Sequence, residues 1–163
     1  MTTEVTLLLG SNAEDAEQLI DAATDIINIA VGRLSRTSED YRSEPYGFSA
    51  ERKFVNRAVV INTTYDAYEV LHRINHIEAL LGRDREAEAR IKQERNEAYA
   101  SRPIDIDIIF YGTETFQDER LTIPYHFLAE RGYALRPVVD VMPDMQHPAL
   151  KLTPRQMLAT LQK

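Results

Sequence analysis

The chain has 163 residues, 44% of them hydrophobic, with six Gly and seven Pro, a composition that describes one soluble globular domain, 1–163, with a sizeable core. A net charge of −7 and a sequence pI near 5.1 argue against a broad cationic surface for nucleic acid and leave only local basic clusters. Without Cys there is no disulfide and no thiolate zinc site; the apolar run Val5 to Leu9 is neither a signal peptide nor a membrane span, so a cytoplasmic protein is expected.

Glu4 to Leu9 reads as a strand ended by Gly10. Ser11-Asn12-Ala13-Glu14 has capping-box spacing, and Leu19, Ile20, Ala23, Ile26 and Ile27 recur at helical intervals, which predicts a first helix within Ala16 to Val31. Gly10-Ser11-Asn12 lacks the further glycines or lysine of a phosphate-cradling fingerprint and reads as a turn and cap. Arg33 to Arg42 is polar but β-compatible; Ser43 to Glu51 interrupts it with turn residues and the aromatics Tyr46 and Phe48, a candidate lid or ring-binding wall. Phe54 to Thr63 resumes strand character, with Phe54 open to a core role and Asn56 to a turn role.

Asp66 with Glu69 caps a second helix whose stripe is Val70, Leu71, Ile74, Ile77, Leu80 and Leu81, and Gly82 is placed to end it. Asn75 and Glu78 share a face beside that stripe, where surface polar residues are usual. Arg83 to Ser101 is rich in charged helix formers, with Glu86 and Arg90 at i,i+4. It is either a solvated helix or an arm whose arginines reach over a nucleotide.

In Arg102-Pro103-Ile104-Asp105-Ile106-Asp107-Ile108 the period is two, so a strand puts the isoleucines on one face and Asp105 and Asp107 together on the other. Asp is disfavoured in strands, and two like charges about 6–7 Å apart repel unless a cation or water relieves them. A wet edge-strand face would account for the pair. The cations Arg102, Arg120 and Arg131, able to share an anionic ligand with a metal held by the two Asp, point instead to metal plus phosphate. His126 has no partner at zinc spacing, so a phosphate contact suits it better than metal ligation.

An apolar helical pattern from His126 to Val141 is broken at Pro137, and Thr153-Pro154 opens a capped C-terminal helix. The element order predicts an α+β fold, a ferredoxin-like β-α-β-β-α-β sandwich with an antiparallel sheet and C-terminal helical additions.

These motifs together resemble a known family. Leu9-Gly10-Ser11-Asn12, Pro45-x-Gly47 with Phe54-x-Asn56, Glu78-x-x-x-Gly82-Arg83-x-Arg85, Arg102-x-Ile104-Asp105-Ile106-Asp107, Leu121-x-Ile123-Pro124 and Arg131-Gly132-Tyr133 look like 6-hydroxymethyl-7,8-dihydropterin pyrophosphokinase, a folate-pathway enzyme. The resemblance runs from about Val5 to Pro148. It implies the ferredoxin-like fold and transfer of pyrophosphate from ATP to the pterin hydroxymethyl group, with release of AMP.

By the same resemblance Asp105 and Asp107 would hold two Mg²⁺ ions, and Arg85 and Arg102 would join them in catalysis. The ATP side would comprise Asn75, Glu78, Arg85, Arg102, Ile108, Arg120, Thr122, Arg131 and either Tyr125 or His126, with Tyr99 at the offset where the family commonly has Trp. The pterin would stack between Phe54 and Tyr133, its edge bonded by Asn56, with Ser43, Pro45 and Tyr46 completing the pocket. The partners implied are these small molecules, without nucleic acid or membrane, and a monomer is expected. Other readings are a two-metal nucleotidyltransferase or nuclease, disfavoured by the acidic balance, and a binding module in which the Asp pair only caps a wet strand.

Overall fold

The computed structural model describes residues 1–43, 54–83 and 103–162. Strand β1 (Thr3–Ser11) is followed by α1 (Ala16–Ala30), β2 (Arg33–Thr37), β3 (Tyr41–Ser43), β4 (Phe54–Thr63), α2 (Ala67–Leu80) and β5 (Asp105–Tyr111). The sheet order is β2-β4-β1-β5, with β3 also paired to β4, and every pairing is antiparallel. If β2 and β3 count as one interrupted strand, this is the expected ferredoxin-like sandwich. A short hairpin, β6 (Phe116–Gln117) with β7 (Thr122–Ile123), a 3₁₀ turn at Leu128–Glu130, and helices α3 (Gly132–Val141) and α4 (Pro154–Leu161) complete it.

The sheet is covered on both faces. Leu7, Leu9, Val59, Ile61, Ile104, Ile106 and Ile108 pack with Ile20 and Ile27 of α1 and Ile74 and Ile77 of α2. Leu8, Ala58, Val60, Ile109 and Phe110 pack on the other side with Leu135 and Val138 of α3 and Met157 of α4. This is why Leu7-Leu8-Leu9 and Val59-Val60-Ile61 read as continuous apolar runs: central strands buried on two sides show no alternation. Each such side chain contributes roughly 1.5–3 kcal/mol on full burial, so the C-terminal helices are as much a part of the core as α1 and α2.

Several local expectations hold for the reasons given by the residues. Asp66 caps α2 by accepting from the Glu69 N–H at 2.8 Å, and Thr153 forms a capping box with Gln156, with Pro154 at the first helical position. Others are corrected. Gly10 does not end β1; the strand runs on through Ser11, and Gly10 pairs with Asn56 on one side and Asp105 on the other. Ser11 therefore caps no helix. Its hydroxyl accepts from the Ala13 N–H at 3.2 Å, and α1 starts after Asp15 with no side-chain cap. Pro137 does not break its helix but lies inside α3 with its ring buried. Glu78 is no surface residue, being 1% exposed, and Asn56 is a buried strand residue, not a turn.

The period of two in β5 also has an end. Between Thr6 and Leu7 the β1–β5 register shifts, so that Ile109 is the extra residue of a bulge. Ile104, Ile106 and Ile108 face α1 and α2, whereas Ile109 and Phe110 both join the opposite core.

His147 closes the second core beside Phe110, their ring centroids 6.3 Å apart. Its Nδ1 accepts from the Ala149 and Leu150 N–H groups, both at 3.1 Å, and burial lowers its pKa below the ordinary 6.5. A depressed folded pKa means stability is fully present above the unfolded value and is lost as the pH falls through the folded one. Urea midpoints are therefore expected to fall as pH is lowered from 7.5 through 6.5 and below, and His147→Gln to flatten that part of the profile. An identical pH dependence in the variant would refute this assignment.

Candidate active site

One row of residues crosses the sheet. Tyr41 on β3 pairs with Asn56 on β4, Asn56 with Gly10 on β1, and Gly10 with Asp105 on β5. Paired residues share a face, and so do residues two apart on a strand. Ser43 and Phe54, themselves paired, therefore extend the row at one end, and Asp107, paired with Leu8, extends it at the other. The face is the one covered further along by α3, to which Tyr41 is tied by its hydroxyl, 2.8 Å from Asp140 Oδ2. Burial first and that carboxylate next push the Tyr41 phenol up to about 12.

Asn56 is 4% exposed, and its Nδ2 has no hydrogen-bond partner among the described residues; neither has the buried Ser43 hydroxyl. Leaving a buried amide donor unsatisfied costs about 1–3 kcal/mol. An acceptor supplied by a ligand would recover it.

At the other end Asp105 is held by a cation that the fold builds deliberately. Helix α2 stops in a Schellman turn: Gly82, at φ +103°, donates to Ala79 O at 3.1 Å, and Arg83 donates to Glu78 O at 3.0 Å. That turn brings the Arg83 side chain back beside Glu78. Its Nη1 lies 2.7 Å from Glu78 Oε2 and 2.7 Å from Asp105 Oδ1, and Glu78 Oε2 also accepts from the Ile106 N–H at 2.8 Å. Arg83 and Glu78 side chains are only 4% and 1% exposed, against 27% for Asp105. The buried pair thus fixes one Asp105 oxygen while the carboxylate stays partly exposed.

A second cation, Arg131, is bonded to Tyr125, a phenol that feels the Asp107 charge. Tyr125 is anchored by its N–H to Ile109 O, the bulge carbonyl, at 3.1 Å. Arg131 Nη1 donates to the hydroxyls of Tyr125 at 3.1 Å and Tyr133 at 3.0 Å, and its guanidinium lies 4.0 Å from the Phe127 ring centroid. Burial first and the Asp107 charge second raise the Tyr125 pKa, so the phenol keeps its proton.

The structure therefore brings Ser43, Phe54, Asn56, Asp105 and Asp107 onto one face and Tyr125, Arg131 and Tyr133 into one bonded cluster. Glu78 braces Asp105, and Ile108 is buried in the α1/α2 core. Asn75 and His126 are exposed; Arg120 lies at the β6–β7 hairpin with Thr122, its guanidinium 5.2 Å from the Tyr68 ring centroid. Pro45, Tyr46, Arg85, Tyr99 and Arg102, and the segment 84–102 as a whole, lie outside the described residues. Sequence reading gave no site role to Gly10 and took Arg83 only as the start of a solvated helix or of an arm over a nucleotide, whereas its side chain is buried against Glu78. The Gly82 stop was a signal for Arg83, since it dictates where the next side chain goes.

A ferredoxin-like sandwich with two strand carboxylates on one face and arginines beside them has the parts of a phosphate-transfer enzyme. Comparison with known proteins is consistent with this. Residues 6–143 match the family of 7,8-dihydro-6-hydroxymethylpterin-pyrophosphokinase (HPPK). The chain is 33% identical over 140 residues to the 2-amino-4-hydroxy-6-hydroxymethyldihydropteridine pyrophosphokinase of Porphyromonas gingivalis, covering 85% of this chain and 90% of that protein. It is 34% identical over 144 residues to the enzyme of the same name from Methylorubrum extorquens, covering 88% and 85%. The wild-type HPPK-DHPS crystal structure from Plasmodium falciparum matches 99% of the chain with a TM-score of 0.76 at 17% identity, a likeness of fold, and the chain spans 45% of its length. The chain belongs to the HPPK family, whose activity is ATP-dependent pyrophosphoryl transfer to hydroxymethyldihydropterin in folate biosynthesis.

Removing one partner of a buried ion pair leaves an uncompensated charge, typically at about 3–5 kcal/mol. Arg83→Met is expected to lower stability by that order in urea denaturation, and Glu78→Gln with Arg83→Met to recover part of it. Two losses that simply add would show that Arg83 and Glu78 are not coupled.

Proposed function

We propose that the row from Phe54 and Asn56 to Asp105 and Asp107 is where this HPPK enzyme transfers pyrophosphate from ATP to the hydroxymethyl group of 6-hydroxymethyl-7,8-dihydropterin, releasing AMP. The observation that carries the placement is the orphaned amide of Asn56, buried on the same face as the two Asp. A planar heterocycle rich in edge acceptors satisfies such a donor, and Phe54 and Tyr133 offer it aromatic faces.

The donor set at the other end suits Mg²⁺. Two half-buried carboxylates share a face, and no group of three or more metal-capable side chains occurs among the described residues; a hard cation held by one or two carboxylates completes its shell with phosphate oxygens and water. Asp105 and Asp107 would hold two such ions, which supply charge neutralisation at the phosphates and polarisation of the attacking hydroxyl.

The chain itself provides positioning. Asn56 and the rings hold the hydroxymethyl arm toward Asp105, and Arg83 keeps that carboxylate from turning away. Arg131 places positive charge beside the phosphates, and Tyr125, kept protonated, offers an O–H donor. Pyrophosphoryl transfer needs in-line placement and charge neutralisation more than covalent help from protein. Arg85 and Arg102 add cations from the neighbouring segment, with the nucleotide lying toward Asn75, Arg120, Thr122 and His126. The functional unit is a single domain, 1–163, acting as a cytoplasmic monomer on small-molecule substrates.

The test is AMP production from ATP and the pterin, with and without Mg²⁺. Pterin- and Mg²⁺-dependent AMP is expected, with Asp105→Ala and Asp107→Ala each lowering turnover on the order of 10²–10³-fold or more while the fold persists. ADP as product would mean transfer of the γ-phosphoryl group alone. No product from folded protein would leave a binding module.

A further inference from the structure

Gly10 occupies the centre of the row, between Asn56 and Asp105. Its backbone is not in the left-handed region, unlike Gly82 and Gly112, so no conformational demand calls for glycine there. Within a strand glycine gives up packing and order, and it usually marks a close approach by something else. A Cβ built at Gly10 would lie 2.8 Å from Asn56 Oδ1; the next atoms, Asn56 Cγ and Val55 O, are both 3.8 Å away, ordinary contact distance. The missing methyl group therefore makes room for one thing, the Asn56 carboxamide.

We infer that Gly10 is a positioning residue for the substrate ring: lacking a Cβ, it lets the Asn56 carboxamide lie across β1 with its amine end left for the pterin edge. The inference rests on the pterin reading of the Asn56 pocket. An alanine would not disturb the sheet backbone, since extended φ suits any residue and the clash is with the end of a side chain. It would turn the amide, and the cost would fall on pterin recognition, not on ATP or the Asp pair.

The test is a double-mutant cycle of Gly10→Ala and Asn56→Ala, reading the dissociation constants of 6-hydroxymethyl-7,8-dihydropterin and of Mg²⁺ with a non-hydrolysable ATP analogue, plus the Asn56 side-chain amide resonances. Gly10→Ala is expected to weaken the pterin about tenfold, the size of one lost hydrogen bond, to shift those resonances, and to leave the ATP analogue within about twofold. In the Asn56→Ala background the same change should move pterin affinity less than about twofold. Unchanged pterin affinity in Gly10→Ala, or an equal loss in both backgrounds, overturns the inference. If Gly10→Ala fails to fold, a folded double variant supports the clash with Asn56 and an unfolded one refutes it. Wild-type protein that binds no pterin removes the pocket reading itself, and this inference with it.

Discussion

The setting of the Asp105 carboxylate depends on one buried cation. Arg83 sits between Glu78 and Asp105, two contacts of 2.7 Å, at the point where α2 ends and the edge strand β5 begins to pair. An edge strand presents unpaired N–H groups, and here the Ile106 N–H is taken by Glu78 Oε2 instead of by another strand. A buried ion pair is weak evidence for net stability, because desolvating both charges offsets their attraction. What it confers here is orientation. Glu78 is fixed to the backbone of β5, Arg83 to Glu78, and Asp105 to Arg83, so a carboxylate that would otherwise rotate on an exposed edge has one preferred setting.

The other side of the same strand solves a similar problem with backbone. A bulge at Ile109 shifts the alternation, sends both Ile109 and Phe110 into the second core and leaves the Ile109 carbonyl to receive the Tyr125 N–H. The segment carrying Tyr125, Arg131 and Tyr133 is thereby tied to the strand that carries Asp107. The C-terminal helices are thus more than a cover for the sheet. Tyr133 of α3 is bonded through Arg131 to Tyr125, and Asp140 of the same helix makes the corresponding tie to Tyr41 at the Asn56 end of the row.

What the chain reveals before folding follows the range of the interactions involved. Asp66 with Glu69, Thr153 with Pro154 and Gln156, and the Asp-x-Asp alternation are local patterns, read within a few residues, and the structure contains all three. Glu78 looked like a surface residue because its partners are the Schellman turn it helps to close and a strand far along the chain. Gly10 looked like a turn because glycine commonly is one; its reason for being there is Asn56, which only strand register brings opposite. Pro137 looked like a helix end because the proline rule counts a lost hydrogen bond and not the burial of the ring. Each misreading replaced a tertiary cause with a local one. Family resemblance reached the site residues from a different direction, by motif, and could not say which of them touch.

Antiparallel register also works as a ruler. Neighbouring strands lie about 4.8 Å apart, so Asn56 on β4 and Asp105 on β5, with β1 between them, are about 10 Å apart across the sheet. That span suits the substrate of the proposed function, a bicyclic ring with a one-carbon arm. A central strand buried on both faces holds such a spacing better than any loop, because sliding it by one residue would invert Leu7, Leu8 and Leu9 between the two cores. The apolar runs that make β1 and β4 look featureless in sequence are therefore what keeps the two halves of the site in register. The one residue without a side chain, Gly10, stands midway, and the Asn56 carboxamide takes the space its Cβ would fill.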